Sequence, residues 1–526
     1  MGKFYITTPI YYVNASPHLG HAYADVLSDV LARYCRLSGD EVFFLTGTDE
    51  HGAKNVRSAE AAAENVEDFV RKRREVFVKL AKVLNISNTD FIYTSDNVRH
   101  WPGAQLLWKK IQEKGDIYKG KYKGLYCVGH EAFITEKDLE AGKCPDHNEV
   151  PQLLEEENYF FRLSRYAEEI KNKIESGEIG IFPEARKNEI LAVIGEGLRD
   201  VSFSRPSKDI SWGILVPGDH TQTMYVWCDA LSNYLTALGY GRDDVGNFKK
   251  FWPADVHVIG KEILRFHAAI WPGMLLSAGL PLPKSILVHG LIQSGGRKMS
   301  KTLGNVVDPF ELVSKYGAES LRMFFGKEIP VFSDGEFTGE RFEEAHESNL
   351  VNGIGNYVKR VATMISNYFE GVLEKPEDAL IASVPFKKET ALSSQLSNAD
   401  EKLEYLSIPY FIERNVWPKY HVEMKNFEIN KAAETIFSLL KELDGYVQDY
   451  EPFKLVKIDK EKARVILWNL AYGAVSLAWM LKPFMPDTSD KILDTFSVDG
   501  KTGSEWRAFK IKTNEALFPR ILKHEA

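Results

Sequence analysis

The segment TTPIYYVNASPHLGHAY, residues 7–23, decides the fold. Residues 4–12 alternate and are rich in β-branched and aromatic side chains, which reads as a buried strand; after the turn NASP, residues 19–37 carry apolar side chains at helical spacing. On a helix, positions three apart share a face, so His18 and His21 project together from its first turn. That turn also offers unpaired backbone N–H groups and the positive end of the helix dipole. Two imidazole donors added to such a terminus suit phosphate oxygens. The plainer alternative makes one histidine a cap and the other a core residue, and the tetrapeptide HLGH alone does not decide between them.

Working outward, EVFFLTGTDEHG (residues 41–52) reads as a second strand running into a polar loop, and 53–83 as one long helical stretch. Strand, helix, strand, helix at this spacing means a parallel, doubly wound α/β sheet of Rossmann type. Ligands of such sheets sit at the carboxyl ends of the strands, where both PHLGH and TDEHG fall. Residues 116–225 break the rhythm with short strands, turn pairs and a Cys/His cluster, and read as an insertion. The rhythm resumes with MYVWCDAL, DVHVIGKEILRFHAAIWPGMLL and SILVHGLIQSGGRKMSKTLGN. From about 345 onward, patterns such as NKAAETIFSLLKELDGYV and KARVILWNLAYGAVSLAWML read as helices of an all-α bundle, and 375–400 as a solvated connection. No internal repeat is visible.

Composition bounds the rest. At 526 residues, and ~150 residues per domain, three or four units are expected. With 44% hydrophobic and 27% charged residues the chain is of ordinary globular type, neither disordered nor membrane-spanning. Its longest apolar runs, NLAYGAVSLAWMLKPFM among them, look interrupted or too short for a bilayer. The start MGKFYITT enters a strand at once, leaving no room for a targeting peptide, so a cytoplasmic location is expected. A net charge of −8 argues against gripping nucleic acid by bulk attraction, though not against local basic tracks. Four cysteines, Cys35, Cys127, Cys144 and Cys228, are too few for a disulfide scaffold.

Two further constellations carry chemistry. In SGGRKMSKTLGN, Gly295 and Gly296 make the turn before Lys298-Met299-Ser300-Lys301-Thr302 permissive. Lysines at 298 and 301 are suited to neutralise charge that appears as a pyrophosphate leaves. Alone, the stretch would be a solvated basic hairpin. In the insertion, Cys127-Val128-Gly129-His130 and Cys144-Pro145-Asp146-His147 form two close pairs that suit tetrahedral Zn2+. A DNA-binding finger would need a base-reading helix, which is missing.

Together, HLGH and KMSKT resemble the two signatures of the class I aminoacyl-tRNA synthetases, His-x-Gly-His and Lys-Met-Ser-Lys-Ser, with Thr302 keeping the final hydroxyl. Within that class the chain is similar to the methionyl-tRNA synthetase family over nearly its whole length. Five blocks carry the likeness in family order: TTPIYYVNASPHLGHAY, FFLTGTDEHG, YVWCDALSNYL, DVHVIGKEILRFHAAIWPGMLLSAGLPLP and VHGLIQSGGRKMSKTLGN.

The resemblance implies a catalytic domain in two halves, 1–115 and 226–310, around a connective insertion at 116–225, then a stem-contact segment at 311–345 and a helical anticodon-binding domain at 346–526. It makes Asp49 the carboxylate for the substrate ammonium and Ile10, Tyr12, Trp227, Leu231, Tyr234 and His267 the methionine pocket. It places ATP, with Mg2+, against His18, Gly20, His21, Glu262, His289, Gly290, Lys298 and Lys301, with His18, His21, Lys298 and Lys301 catalytic. An aromatic wall also favours a polarizable thioether on physical grounds. Family members with a zinc knuckle mostly carry cysteine where this chain has His130, and some have lost the metal. Asn349 and Phe453 line up with anticodon-reading positions, the latter usually tryptophan; a core phenylalanine is the competing reading. The implied reaction joins L-methionine to its tRNA through methionyl-adenylate. Rival readings are a cysteine or leucine synthetase, against which Asp49 and the Tyr12/Trp227/His267 pocket argue, and an inactive tRNA-binding homologue, against which the intact signatures argue. Many relatives dimerise through an additional carboxyl-terminal domain, and since the chain ends at LFPRILKHEA a monomer is expected.

Overall fold

A computed structural model describes residues 2–127, 132–134, 136, 139–145, 149–296, 307–386, 407–498, 506–512 and 515–518. The chain forms two compact units. The first comprises Met1–Ser28, Cys35–Lys82 and Ile86–His289; the second comprises Asp29–Tyr34, Val83–Asn85 and Gly290–Ala526.

The first unit is built on six parallel strands, here β1 (Lys3–Tyr12), β2 (Glu41–Asp49), β3 (Asp90–Tyr93), β4 (Gly180–Phe182), β5 (Val256–Gly260) and β6 (Ser285–His289). Their order is β3-β2-β1-β5-β6-β4. The chain winds outward from β1 in one direction through β2 and β3, and in the other through β5 and β6. The carboxyl ends of β1 and β5 therefore flank the point where strand order reverses, which is where sheets of this kind open a crevice. β1 is followed by the helix Leu19–Leu37, as its spacing predicts.

Pro9 interrupts β1. It has no N–H for the ladder, and the register against β2 shifts between Thr7 and Ile10. Beyond the shift Ile10 and Tyr12 pack against a large core on one face of the sheet, while Tyr11 and Val13 belong to a separate cluster with Phe69 and Phe77. Two-residue alternation thus sorts consecutive side chains to opposite faces.

Three expectations need correction. The stretch 53–83 is two helices, Ala53–Ala61 and Val66–Val83, broken where Ala63 takes a left-handed φ of 54°. Alanines give no local warning of such a break, because they are the best helix formers. Residues 116–225 are not wholly an insertion beside the sheet, since Gly180–Phe182 supplies its edge strand. The remainder does form antiparallel structure, with Ile117–Cys127 against Gln152–Phe161 as its longest pairing. Finally, the apolar run near the end is not too short. As far as Leu481 it lies in the helix Lys460–Leu481, which is long and apolar enough by length and composition to cross a membrane, and 89% of that helix's apolar window is buried inside the protein.

The second unit is helical. Its long helices are Asn356–Phe369, Ile429–Tyr450 and Lys460–Leu481, and a short antiparallel pair joins Val372–Glu374 to Ala508–Lys510. Gly473 lets two helices close up, because a Cβ there would meet Leu443 Cδ2 at 2.6 Å. Tyr357 and Tyr420 spend their buried hydroxyls on the carbonyls of Leu470 and Met480, at 2.8 and 2.9 Å.

Candidate active site

The sheet delivers several of the expected residues to its carboxyl edge. Tyr12 and Asp49 end β1 and β2 and are paired in register. Gly260 and His289 end β5 and β6 and are likewise paired. Glu262 lies in the 3₁₀ turn Lys261–Ile263 that follows β5, and His18 and His21 lie just before and within the first turn of the helix after β1.

The histidine pair is organised by backbone. The His18 N–H donates to Nδ1 of His21 at 3.1 Å, and the Gly20 N–H donates to Nδ1 of His18 at 3.0 Å. A nitrogen that accepts carries no proton, so each neutral ring keeps its proton on Nε2. Burial, then the repulsion that a proton on His18 would exert, holds His21 well below the usual histidine pKa, so it is a neutral donor at pH 7. The two rings lie tilted with centroids 4.0 Å apart, and His21 is wedged edge-on between Tyr11 and Phe77 at 4.9 and 5.3 Å. Gly20 has a steric reason. A Cβ there would approach Cε1 and Nδ1 of His18 to 2.9 and 3.0 Å, so the ring folds over a space only glycine leaves.

On the other face of the sheet, Ile10, Tyr12, Trp227, Leu231 and Tyr234 come together around one core. Trp227 and Leu231 ride on the helix Val226–Leu231. The Tyr234 hydroxyl bonds to Nε2 of His267 at 2.8 Å, and Nδ1 of His267 donates to the Ile263 carbonyl at 3.0 Å. The carbonyl can only accept, which puts the His267 proton on Nδ1 and makes Tyr234 the donor to Nε2. Burial brings the His267 pKa down to about 4, and pushes the Tyr234 phenol up. His267 lies in a π-helical turn, Phe266–Ile270, a distortion that frequently marks functional sites.

Several neighbours gave no signal in the sequence. Phe266 stacks on Trp227 with centroids 3.7 Å apart and planes at 9°. Behind Tyr234, the buried His257 bonds to Thr7 Oγ1 at 2.8 Å and accepts from Trp271 Nε1 at 3.3 Å. The polar loop after β2 is buried: Glu50 and His51 are 0% and 1% exposed. Glu50 is held by Arg74 at 3.2 Å, by Thr48 at 2.9 Å and by Ser95.

Gly290 belongs to the second unit; its N–H donates to the Val331 carbonyl at 2.9 Å, and a Cβ there would meet Ser333 O at 2.0 Å. Lys298 and Lys301 lie outside the described residues, as do His130 and His147. Cys127 and Cys144 are buried and form no disulfide, and among the described residues no group of three or more His, Cys, Asp or Glu side chains could hold a metal ion. In the second unit Asn349 gives its amide to Glu328 Oε1 at 3.2 Å, whereas Phe453 is 41% exposed on the short helix Pro452–Leu455.

A family model described as tRNA synthetases class I (M) matches residues 4–150 and 137–362, and one described as the anticodon binding domain of methionyl tRNA ligase matches 412–518. The chain is 41% identical to a methionine–tRNA ligase of Caldanaerobacter subterraneus over 98% of its own length and 79% of the relative's. It is 38% identical to that of Rhizobium meliloti over 99% of both. Its structure superposes with a TM-score of 0.88 on Mycobacterium tuberculosis methionyl-tRNA synthetase in complex with methionyl-adenylate, at 32% identity, covering 99% of this chain and 100% of that one.

Proposed function

Because the chain belongs to the methionyl group of class I tRNA synthetases, we infer that the carboxyl edge of its parallel sheet is where it activates methionine for ligation to tRNA. The reaction has two steps. A carboxylate oxygen of L-methionine attacks the α-phosphorus of ATP as the bond to the bridging oxygen of the β-phosphate breaks, giving methionyl-adenylate and pyrophosphate. The terminal ribose hydroxyl of the tRNA then takes the methionyl group and releases AMP.

The observation that carries the assignment of roles is the pair of backbone bonds onto Nδ1 of His18 and of His21. They fix both Nε2–H groups as preorganised donors, which suits phosphate oxygens whose charge grows during displacement. No side-chain nucleophile is required. Lys298 and Lys301 complete the neutralisation of pyrophosphate in this reading, and Glu262, His289 and Gly290 hold the nucleoside. Mg2+ accompanies the ATP phosphates. Asp49, buried at the end of β2, takes the ammonium, while Trp227, backed by Phe266, offers the thioether an aromatic face. Neutral His267 and Tyr234 line the pocket with polar groups already committed to each other, so a charged side chain gains nothing there and an apolar one loses nothing.

Methionine-dependent pyrophosphate exchange, with each amino acid supplied in turn, tests this. Exchange with methionine alone is the expected result; equal exchange with leucine or cysteine would refute the pocket. Zinc bound by Cys127, His130, Cys144 and His147 is the finer reading for the insertion. Burial of both cysteines supports it, and metal analysis of chelator-free protein should find about one Zn2+ per chain. The cytoplasm, where the three substrates meet, is the compartment this reading implies.

A further inference from the structure

One buried carboxylate belongs to none of the roles above. Asp229 lies on the helix Val226–Leu231, two residues past Trp227 and two before Leu231, with its side chain 1% exposed. Its Oδ2 is 2.6 Å from Nδ1 of His51, and its Oδ1 is 2.7 Å from Nε2 of His100. The Nδ1 atom of His100 bonds in turn to Thr236 Oγ1 at 2.8 Å. A carboxylate accepts and does not donate, so each imidazole points an N–H at it. Burial alone would raise the Asp229 carboxyl, but the charge and hydrogen bonds of His51 and His100 bring it down to about 2, and it is ionised at neutral pH.

The two histidines come from different elements. His51 follows Asp49 by two residues, in a segment clamped on its other sides: Asn55 Nδ2 donates to the carbonyls of Asp49 and His51 at 3.2 and 3.0 Å, and Trp212 Nε1 donates to the Glu50 carbonyl at 2.7 Å. His100 immediately precedes the helix Trp101–Glu113, which carries no proposed substrate contact. The His51 ring sits between Trp101 and Trp212, at 5.9 and 5.6 Å, and its Nε2 is buried with no hydrogen-bond partner among the described residues. The Asp229 bond is thus the polar contact that holds this ring.

We propose that Asp229 is a positioning residue for methionine, tying the segment that bears Asp49 to the helix that bears Trp227 and Leu231, and so fixing the separation between the group that grips the ammonium and the wall that meets the thioether. The inference rests on the roles given to Asp49 and Trp227 above. A substrate held at both ends is sensitive to that separation, since misplacement by about 1 Å can cost a hundredfold in rate. A purely structural role for the same cluster makes a different statement: His51 and His100 are equally buried and equally close to Asp229, so losing either should cost alike.

The test compares Asp229→Asn, His51→Ala and His100→Ala in pyrophosphate exchange, with KM measured for methionine and for ATP and with methioninol as a competitive inhibitor that keeps the amine and the thioether. For Asp229→Asn and His51→Ala, the methionine KM and the methioninol Ki should both rise about tenfold or more, with the ATP KM unchanged; His100→Ala should leave the methionine KM near that of the parent. Equal effects of His51→Ala and His100→Ala, or an ATP KM that rises in step, would overturn the proposal. Asp49→Asn serves as reference: if it raises the methionine KM while His51→Ala does not, the brace is wrong and the pocket stands; if it does not, the pocket reading itself falls. Should Asp229→Asn not fold, His51→Ala carries the comparison, because it leaves the Asp229–His100 bond in place.

Discussion

The Tyr234 hydroxyl donates to Nε2 of His267 at 2.8 Å while the same imidazole gives its Nδ1 proton to the Ile263 carbonyl at 3.0 Å. Both nitrogens are therefore committed in the neutral form, and burial brings the pKa down to about 4 from the ordinary ~6.5. Below 6.5 the unfolded chain binds a proton that the folded one refuses, so stability falls as pH drops through the window from about 6.5 to about 4, and this contribution levels off below it. Burial pushes His257 and His21 the same way, so their losses add. Urea unfolding at successive pH values between neutral and 4.5 should show a falling midpoint, with a shallower fall in His267→Gln. Parallel curves for the two proteins would mean that His267 is not held neutral.

Gly20 offers a way to disturb the histidine pair without removing it. A Cβ at this position meets the His18 ring at 2.9 and 3.0 Å, so Gly20→Ala should turn that ring out of its hydrogen bond while leaving the strand and helix intact. Methionine-dependent exchange should fall sharply with unchanged circular dichroism. His21→Ala, which deletes a donor outright, should cost roughly 10²–10³ in rate. An unaffected rate in both variants would make the pair structural.

Glu336 supports the turn that precedes the lysine-bearing stretch. Its carboxylate accepts the N–H of Gly295 at 2.6 Å and that of Gly296 at 3.2 Å, and both glycines have left-handed φ values, 67° and 68°. Removing the acceptor frees a turn that has no side chains of its own to hold it. Glu336→Ala should therefore slow exchange without changing the methionine KM, and Glu336→Gln, which keeps one acceptor oxygen, should lie between it and the parent. A raised methionine KM would show that the effect spreads beyond this turn.

What could be read from sequence was whatever one period or one short motif carries. The alternation of β1, the helix behind HLGH and the return of strands at Val256–Gly260 and Ser285–His289 all follow from spacing, and with them the carboxyl edge at which the site is proposed. Long-range contacts were not legible. Phe266 against Trp227, Thr7 against His257 and Asp229 between two histidines are pairings of residues 39, 250 and up to 178 positions apart, made by tertiary packing that no window sees. The edge strand Gly180–Phe182, three residues long, is below the length at which alternation means anything. Asn349, lined up by resemblance with an anticodon-reading position, gives its amide to Glu328 at 3.2 Å, a partner 21 residues away that no motif announces.

Phe453 should separate the two half-reactions. The residue is 41% exposed, on a helix of four residues that follows Glu451 in a left-handed conformation, with Lys454 Nζ 5.8 Å from the ring centre. A core role is hard to reconcile with that exposure, since surface substitutions usually change stability by no more than about 0.5 kcal/mol; Phe453→Ala should melt with the parent. Stacking a base on an aromatic ring is worth ~1–3 kcal/mol and tolerates one aromatic for another. Phe453→Ala should then weaken tRNA charging about tenfold and leave pyrophosphate exchange unchanged, because exchange needs only methionine and ATP, while Phe453→Trp should retain or improve charging. Loss of both steps together, or of the fold, would return Phe453 to the core and leave the anticodon to other residues of 412–518.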